Sequence, residues 1–149
     1  MRHNVQVDQS IKIEQPGNTV LAFSNGISFA VVVSPDIKHE AIRILRARGK
    51  SRDVARVLVF AAGVYLLLAD FLDSLDLVVV DTEYVGYDAL IKAFLLRHIW
   101  QEHPMFDGQC IMFAQVGKKS PAHAKANAVR RRQDKDYRKL QLQEVIRLL

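Results

Sequence analysis

Val5-Gln6-Val7-Asp8-Gln9-Ser10-Ile11-Lys12-Ile13 and Leu77-Val78-Val79-Val80-Asp81 are the stretches whose reading decides the fold class of this chain. In the first, Val5, Val7, Ile11 and Ile13 hold odd positions while Gln6, Asp8, Ser10 and Lys12 hold even ones. Successive strand side chains point to opposite faces, so the pattern predicts a strand from Val5 to Ile13 with one aliphatic face and Asp8 on the other. The second stretch is a continuous aliphatic run rich in β-branched residues and closed by an acid. Such a run predicts a central parallel strand covered on both faces. Asp81 then stands at its end, where open α/β sheets place their ligands.

Working outward, Gln15-Pro16-Gly17-Asn18 is a turn cluster, Thr19 to Ser24 a second strand, and Asn25-Gly26 a strong short hairpin signal before a third strand, Ile27 to Val33. These three strands form an antiparallel meander. Ser34-Pro35-Asp36 opens a helix carrying Ile37, Ala41, Ile42 and Leu45 at helical spacing, and Gly49-Lys50 closes it. Ser51 caps a longer helix from about Arg52 to Leu72, with Asp53 near its positive end and Gly63 marking close packing on the sheet. A helix from Asp88 to Gln101, a fifth strand from Ile111 to Val116, and a helix with Ser120 as N-cap and Pro121 in its first turn complete the order. The expected class is α/β: one domain over residues 1–149, with a five-stranded mixed sheet, three antiparallel strands then two parallel, flanked by helices.

At 149 residues, with 50% hydrophobic and 25% charged side chains, the chain can bury one core and is not of disordered composition. Val57 to Ala69 is uncharged but shorter than the roughly 18 apolar residues of a membrane span, so it reads as a buried helix and no membrane partner is expected. Met1-Arg2-His3-Asn4 leads directly into the alternation with no apolar leader, and the single Cys110 suits a reducing interior. Cytoplasmic location is the expectation. The net charge of +5 is concentrated from about residue 118, where Lys118, Lys119, Lys125, Arg130, Arg131, Arg132, Lys135, Arg138 and Lys139 face only Asp134 and Asp136. This basic helical segment favours a polyanionic partner. Leu140, Leu142, Val145, Ile146, Leu148 and Leu149 then form an apolar pattern suited to docking on the core or on another molecule, a second copy included.

The element order resembles that of the ribonuclease H-like superfamily, which includes ribonuclease H, Holliday-junction resolvases, transposases and Argonaute slicer domains. Val5-Gln6-Val7-Asp8-Gln9-Ser10 resembles its first strand with a metal-binding aspartate, and Val78-Val79-Val80-Asp81-Thr82-Glu83-Tyr84-Val85 its fourth strand with a second. Ser120-Pro121-Ala122-His123-Ala124-Lys125-Ala126 is similar to the small-residue start of the terminal helix that carries the last ligand. The resemblance implies a metal-dependent nuclease that hydrolyses DNA or RNA phosphodiester bonds, with Mg²⁺ or Mn²⁺ held by Asp8, Asp81 and His123. Asp8 would bridge the ions, Glu83 would assist, and Lys118, Lys119, Lys125 and Arg130 would contact nucleic-acid phosphates. Such carboxylate pairs concentrate negative charge that hard divalent cations neutralise.

The family's acid at the start of the first helical segment has no counterpart in a matching motif; Glu40 and Asp53 stand nearest, and Glu83 could substitute. That departure supports an alternative, a noncatalytic ribonuclease H-like module that binds nucleic acid or a protein. A third possibility is a small interaction protein oligomerising through Leu140 to Leu149. His39, His98 and His103 show no metal-ligand spacing, and Tyr84, Tyr87 and Trp100 read as packing residues.

Overall fold

The alternation near the start becomes β1 (His3–Ser10), which ends earlier than its pattern because Ile11 takes a left-handed backbone at φ 65° and turns the chain out of the sheet. The structure, a computed structural model, describes residues 2–117 and 119–149. Antiparallel β2 (Thr19–Asn25) and β3 (Ile27–Val33) follow, joined at Gly26, whose φ of +82° suits the tight hairpin. Helices α1 (Pro35–Ala47) and α2 (Arg52–Leu68) begin where their serine caps stand: the Ser34 and Ser51 hydroxyls accept from the Ile37 and Val54 amides. A 3-10 turn over Ala69–Ser74 replaces the last turn expected of α2.

β4 (Leu75–Asp81) then runs parallel to β1, and β5 (Ile111–Ala114), reached through α3 (Asp88–Glu102), runs parallel to β4. After α4 (Pro121–Arg130), a two-residue β6 (Arg138–Lys139) pairs parallel with β3, and α5 (Leu142–Leu148) follows. Among the described residues the sheet therefore has six strands, in the order β5-β4-β1-β2-β3-β6, one more than the sequence pattern predicts. The extra strand is too short to leave a periodic signature.

Each face of the sheet has its own core, set by alternation along β2 and β3. Leu21, Phe23, Val31 and Val33 point with Val5, Val7, Val78 and Val80 into the larger core beneath α1, α2, α3 and α5. Val20, Ala22, Ala30 and Val32 point the other way and meet Ala126 and Val129 of α4. Because these residues are small, α4 lies close over β1, β2 and β3. β4 is covered less evenly than its apolar run predicts: Val78 and Val80 are buried, whereas Val79 is half-buried beside exposed Met112, its partner on β5. The sheet is thus open next to α4, on the face that carries Asp8 and Asp81.

Arg52–Ser74 is long and apolar enough to cross a membrane by length and composition alone, and in the fold it supplies the central helix of the larger core. The apolar segment after β6 docks within the chain, with Leu140 and Val145 buried in the same core.

Candidate metal centre

The last ladder pair between β1 and β4 is Val7 with Val80, and both residues point into the larger core. Asp8 and Asp81 each come one residue later, so strand alternation turns both toward the opposite face. Glu83 follows just beyond the end of β4. One carboxylate oxygen from each of Asp8, Asp81 and Glu83 lies within 4.8 Å of the others. Opposite ligands of an octahedral ion at about 2.1 Å stand roughly 4.2 Å apart, so small side-chain shifts would close this set on a divalent cation. The donors are hard oxygens with no sulfur among them, which suits Mg²⁺ or Mn²⁺ chemistry.

Asp8 is 4% exposed, a depth its polar strand position does not announce, because α4 covers it. Its Oδ1 accepts from the Gln9 amide at 2.8 Å, and its Oδ2 lies 2.9 Å from Nδ1 of His123. Asp81 Oδ1 accepts from the Val116 amide at 2.6 Å, fixing the end of β4 to the segment after β5.

Burial pushes the Asp8 carboxyl above its ordinary range and the Asp81 charge adds to the shift, while hydrogen bonds from His123 and the Gln9 amide oppose it. Glu83 is displaced furthest, pushed up to about 8 first by burial, then by its hydrogen bond to Asp81 and the charges of Asp81 and Asp8. At neutral pH without a metal, Glu83 therefore keeps its proton and donates it to Asp81. Gln9, 6% exposed, approaches Glu83 and Tyr84, yet neither atom of its amide closes a hydrogen bond. An orphaned amide beside three crowded carboxylates is a local deficit that a cation with its hydration water would relieve.

His123 reaches the site because Ser120 caps α4, its hydroxyl accepting from the His123 amide at 3.1 Å. Its other ring nitrogen, Nε2, lies 3.0 Å from Asn127 Nδ2, and Asn127 Oδ1 lies 3.3 Å from the Ser10 hydroxyl. The assignment that satisfies every group has Ser10 donating to Asn127, Asn127 donating to Nε2, and Nδ1–H donating to Asp8. In this arrangement His123 grips Asp8 and has no ring nitrogen free for an ion, and the third donor of the cluster is Glu83. Ser10 and Asn127 escaped the sequence reading. The signal was present in the four-residue spacing of His123 and Asn127, which stacks both on one helix face.

The expected phosphate contacts divide. Lys119 and Arg130 are exposed, and Lys118 lies outside the described residues. Lys125 is committed elsewhere: its side chain is 6% exposed, with Nζ 2.7 Å from Asp134 and 3.7 Å from Asp136, so this ammonium serves an internal ion pair. Glu40 pairs with Arg43 and Asp53 with Arg56, and neither joins the carboxylate cluster. Comparisons of the chain with family models, curated proteins and solved structures find no match.

Proposed function

We propose that this chain is a metal-dependent nuclease built on a ribonuclease H-like sheet. The observation that carries the proposal is the convergence of Asp8, Asp81 and Glu83 at the ends of two parallel neighbouring strands. Adjacent parallel first and fourth strands are what that architecture requires, and β6 is an addition to it. Bound Mg²⁺ or Mn²⁺ would supply Lewis acidity toward the scissile phosphate and lower the pKa of an attacking water. Asp8, Asp81 and Glu83 hold the cation, and His123 keeps the Asp8 carboxylate in one orientation through the bond to Oδ2. Exposed Lys119 and Arg130 lie on the same helical segment and attract the DNA or RNA backbone. The uncovered sheet beside α4 gives a strand access to the carboxylates. The half-buried, unpaired Cys110 accords with a reducing location such as the cytoplasm.

The test is cleavage of labelled DNA and RNA, single-stranded, duplex and branched, with Mg²⁺ or Mn²⁺. Wild type cleaves and Asp8→Asn loses at least about a hundredfold while staying folded. Asp8→Asn cutting at the wild-type rate overturns the assignment. A noncatalytic nucleic-acid-binding module is the second reading, favoured by His123 having both nitrogens engaged and by the absence of Glu40 and Asp53 from the cluster. Its outcome in the same assay is binding that ignores Mg²⁺ and no cleavage of any substrate.

A further inference from the structure

At the far end of α4 from the carboxylates lies a second feature. From His123 to Arg130 the helix advances about 10 Å, at ~1.5 Å per residue. There a cavity of 530 Å³ opens between α4, β2, β3 and β6. Its floor is apolar, formed by Val20, Val32 and Val129 with the half-buried ring of Tyr137. Its rim is cationic: Arg130, Arg132 and Lys139 line it. The size suits a nucleotide-sized ligand.

The three cations do not come from one run on a solvated helix. Arg130 ends α4, Arg132 lies in the turn beyond it, and Lys139 is held by β6, where it pairs with Val32. The acids that follow α4 are engaged elsewhere: Asp134 and Asp136 pair with Lys125, and Glu144 pairs with Arg138. Arg130, Arg132 and Lys139 therefore have no ion-pair partner among the described residues. Arg132 also occupies a left-handed backbone, φ 61°, at the position after the helix where glycine is the ordinary choice. An arginine kept at a glycine position is readily explained when its side chain is needed.

We propose that this cavity is a subsite for a nucleic-acid strand, with Arg130, Arg132 and Lys139 on a backbone phosphate and the Tyr137 floor beneath the attached nucleoside. The identity of the polyanion rests on the nuclease reading; the charge and shape of the cavity do not. A strand crossing from the carboxylates to the cavity would follow the axis of α4. At 3.4 Å rise per nucleotide, the phosphate held here stands about three nucleotides from the one at the carboxylates.

The test is fluorescence anisotropy with a labelled single-stranded oligonucleotide of about 12 nucleotides, in chelator so that no cleavage intervenes. The triple variant Arg130→Ala, Arg132→Gly, Lys139→Ala weakens binding at least about tenfold, and its log K against log salt slope becomes shallower by about 2, near 0.7 per cation removed. Arg132→Gly alone keeps or raises the melting temperature while weakening binding, a combination that a purely structural arginine would not give. The pair Arg130→Lys, Lys139→Arg keeps the wild-type salt slope. Wild-type affinity and slope in the triple variant overturn the subsite, as does a charge-conserving pair that binds as poorly as the triple. If wild type cuts nothing but the three cations still govern binding, the subsite stands and the nuclease reading falls. If Asp8→Asn abolishes cleavage while the triple variant binds as wild type, the subsite alone falls.

Discussion

Glu83 is the residue whose environment most separates the folded from the unfolded chain. Its carboxyl is raised from 4.5 to about 8, first by burial and then by its hydrogen bond to Asp81 and the charges of Asp81 and Asp8. Between those values the folded protein holds a proton that the unfolded chain has released, so metal-free stability falls as pH rises through this window. A divalent cation takes the place of that proton, and its binding therefore strengthens as pH rises toward about 8, with proton release. Thermal unfolding from about pH 5 to about pH 9, in chelator and in Mn²⁺, measures both effects. Glu83→Gln flattens the metal-free pH dependence, raises the melting temperature at the alkaline end and weakens Mn²⁺ binding. A wild-type chelator curve that does not fall through this range, or one unchanged by Glu83→Gln, removes Glu83 from the cluster.

At the scale of elements, the site depends on two close approaches to the sheet, one from each side. α4 lies near because Ala122 and Ala126 face Val20, Ala22 and Ala30. α2 lies near because Gly63 has no side chain: a Cβ there would come within 2.5 Å of Leu21 Cδ1, and Leu21 is fully buried. Leu21 belongs to β2, whose next residue, Ala22, pairs with Asp8, so pressure on this contact is applied one strand from the carboxylates. Gly63→Val is expected to cost about 1–3 kcal/mol through overpacking, read as a lower denaturant midpoint with an unchanged slope. Wild-type stability in that variant would show that the helix and sheet have room to spare. The caps at Ser34, Ser51 and Ser120 act at the same scale, and the last of them also sets which turn of α4 presents His123 to Asp8.

For the molecule as a whole, α5 closes the larger core. Val145 is 1% exposed against α1 and α2, and the Arg48 guanidinium donates to the Leu149 carbonyl at 2.7 Å. The apolar residues after β6 are thus satisfied inside one chain and need no second copy to cover them. Val145→Asp places an unpaired carboxylate in that core and is expected to lose at least about 3 kcal/mol, with the melting temperature falling by roughly 10 °C. Thermal unfolding and size-exclusion chromatography check this together. Unchanged stability with a change in oligomeric state would move Val145 to an intermolecular contact and favour the interaction-protein alternative.

Local patterns were legible in the residues themselves: period-two alternation on β1, the Asn25-Gly26 hairpin, three serine caps, the glycine in α2 and an acid closing the β4 run. Each is short-range, because backbone sterics, capping and side-chain alternation act over only a few residues. The sequence by itself therefore determined the element order and the strand faces of Asp8 and Asp81. What covers those faces was decided by long-range burial. Only the tertiary structure paired β1 with β4, laid α4 over Asp8, drew Glu83 into the carboxylate cluster, joined His123 to Asn127 and Ser10, turned Lys125 inward to Asp134, and added β6 at the edge. The physical reason is that each of these follows from two apolar faces of one sheet needing cover at once, a condition satisfied by the whole chain and recorded in no single segment.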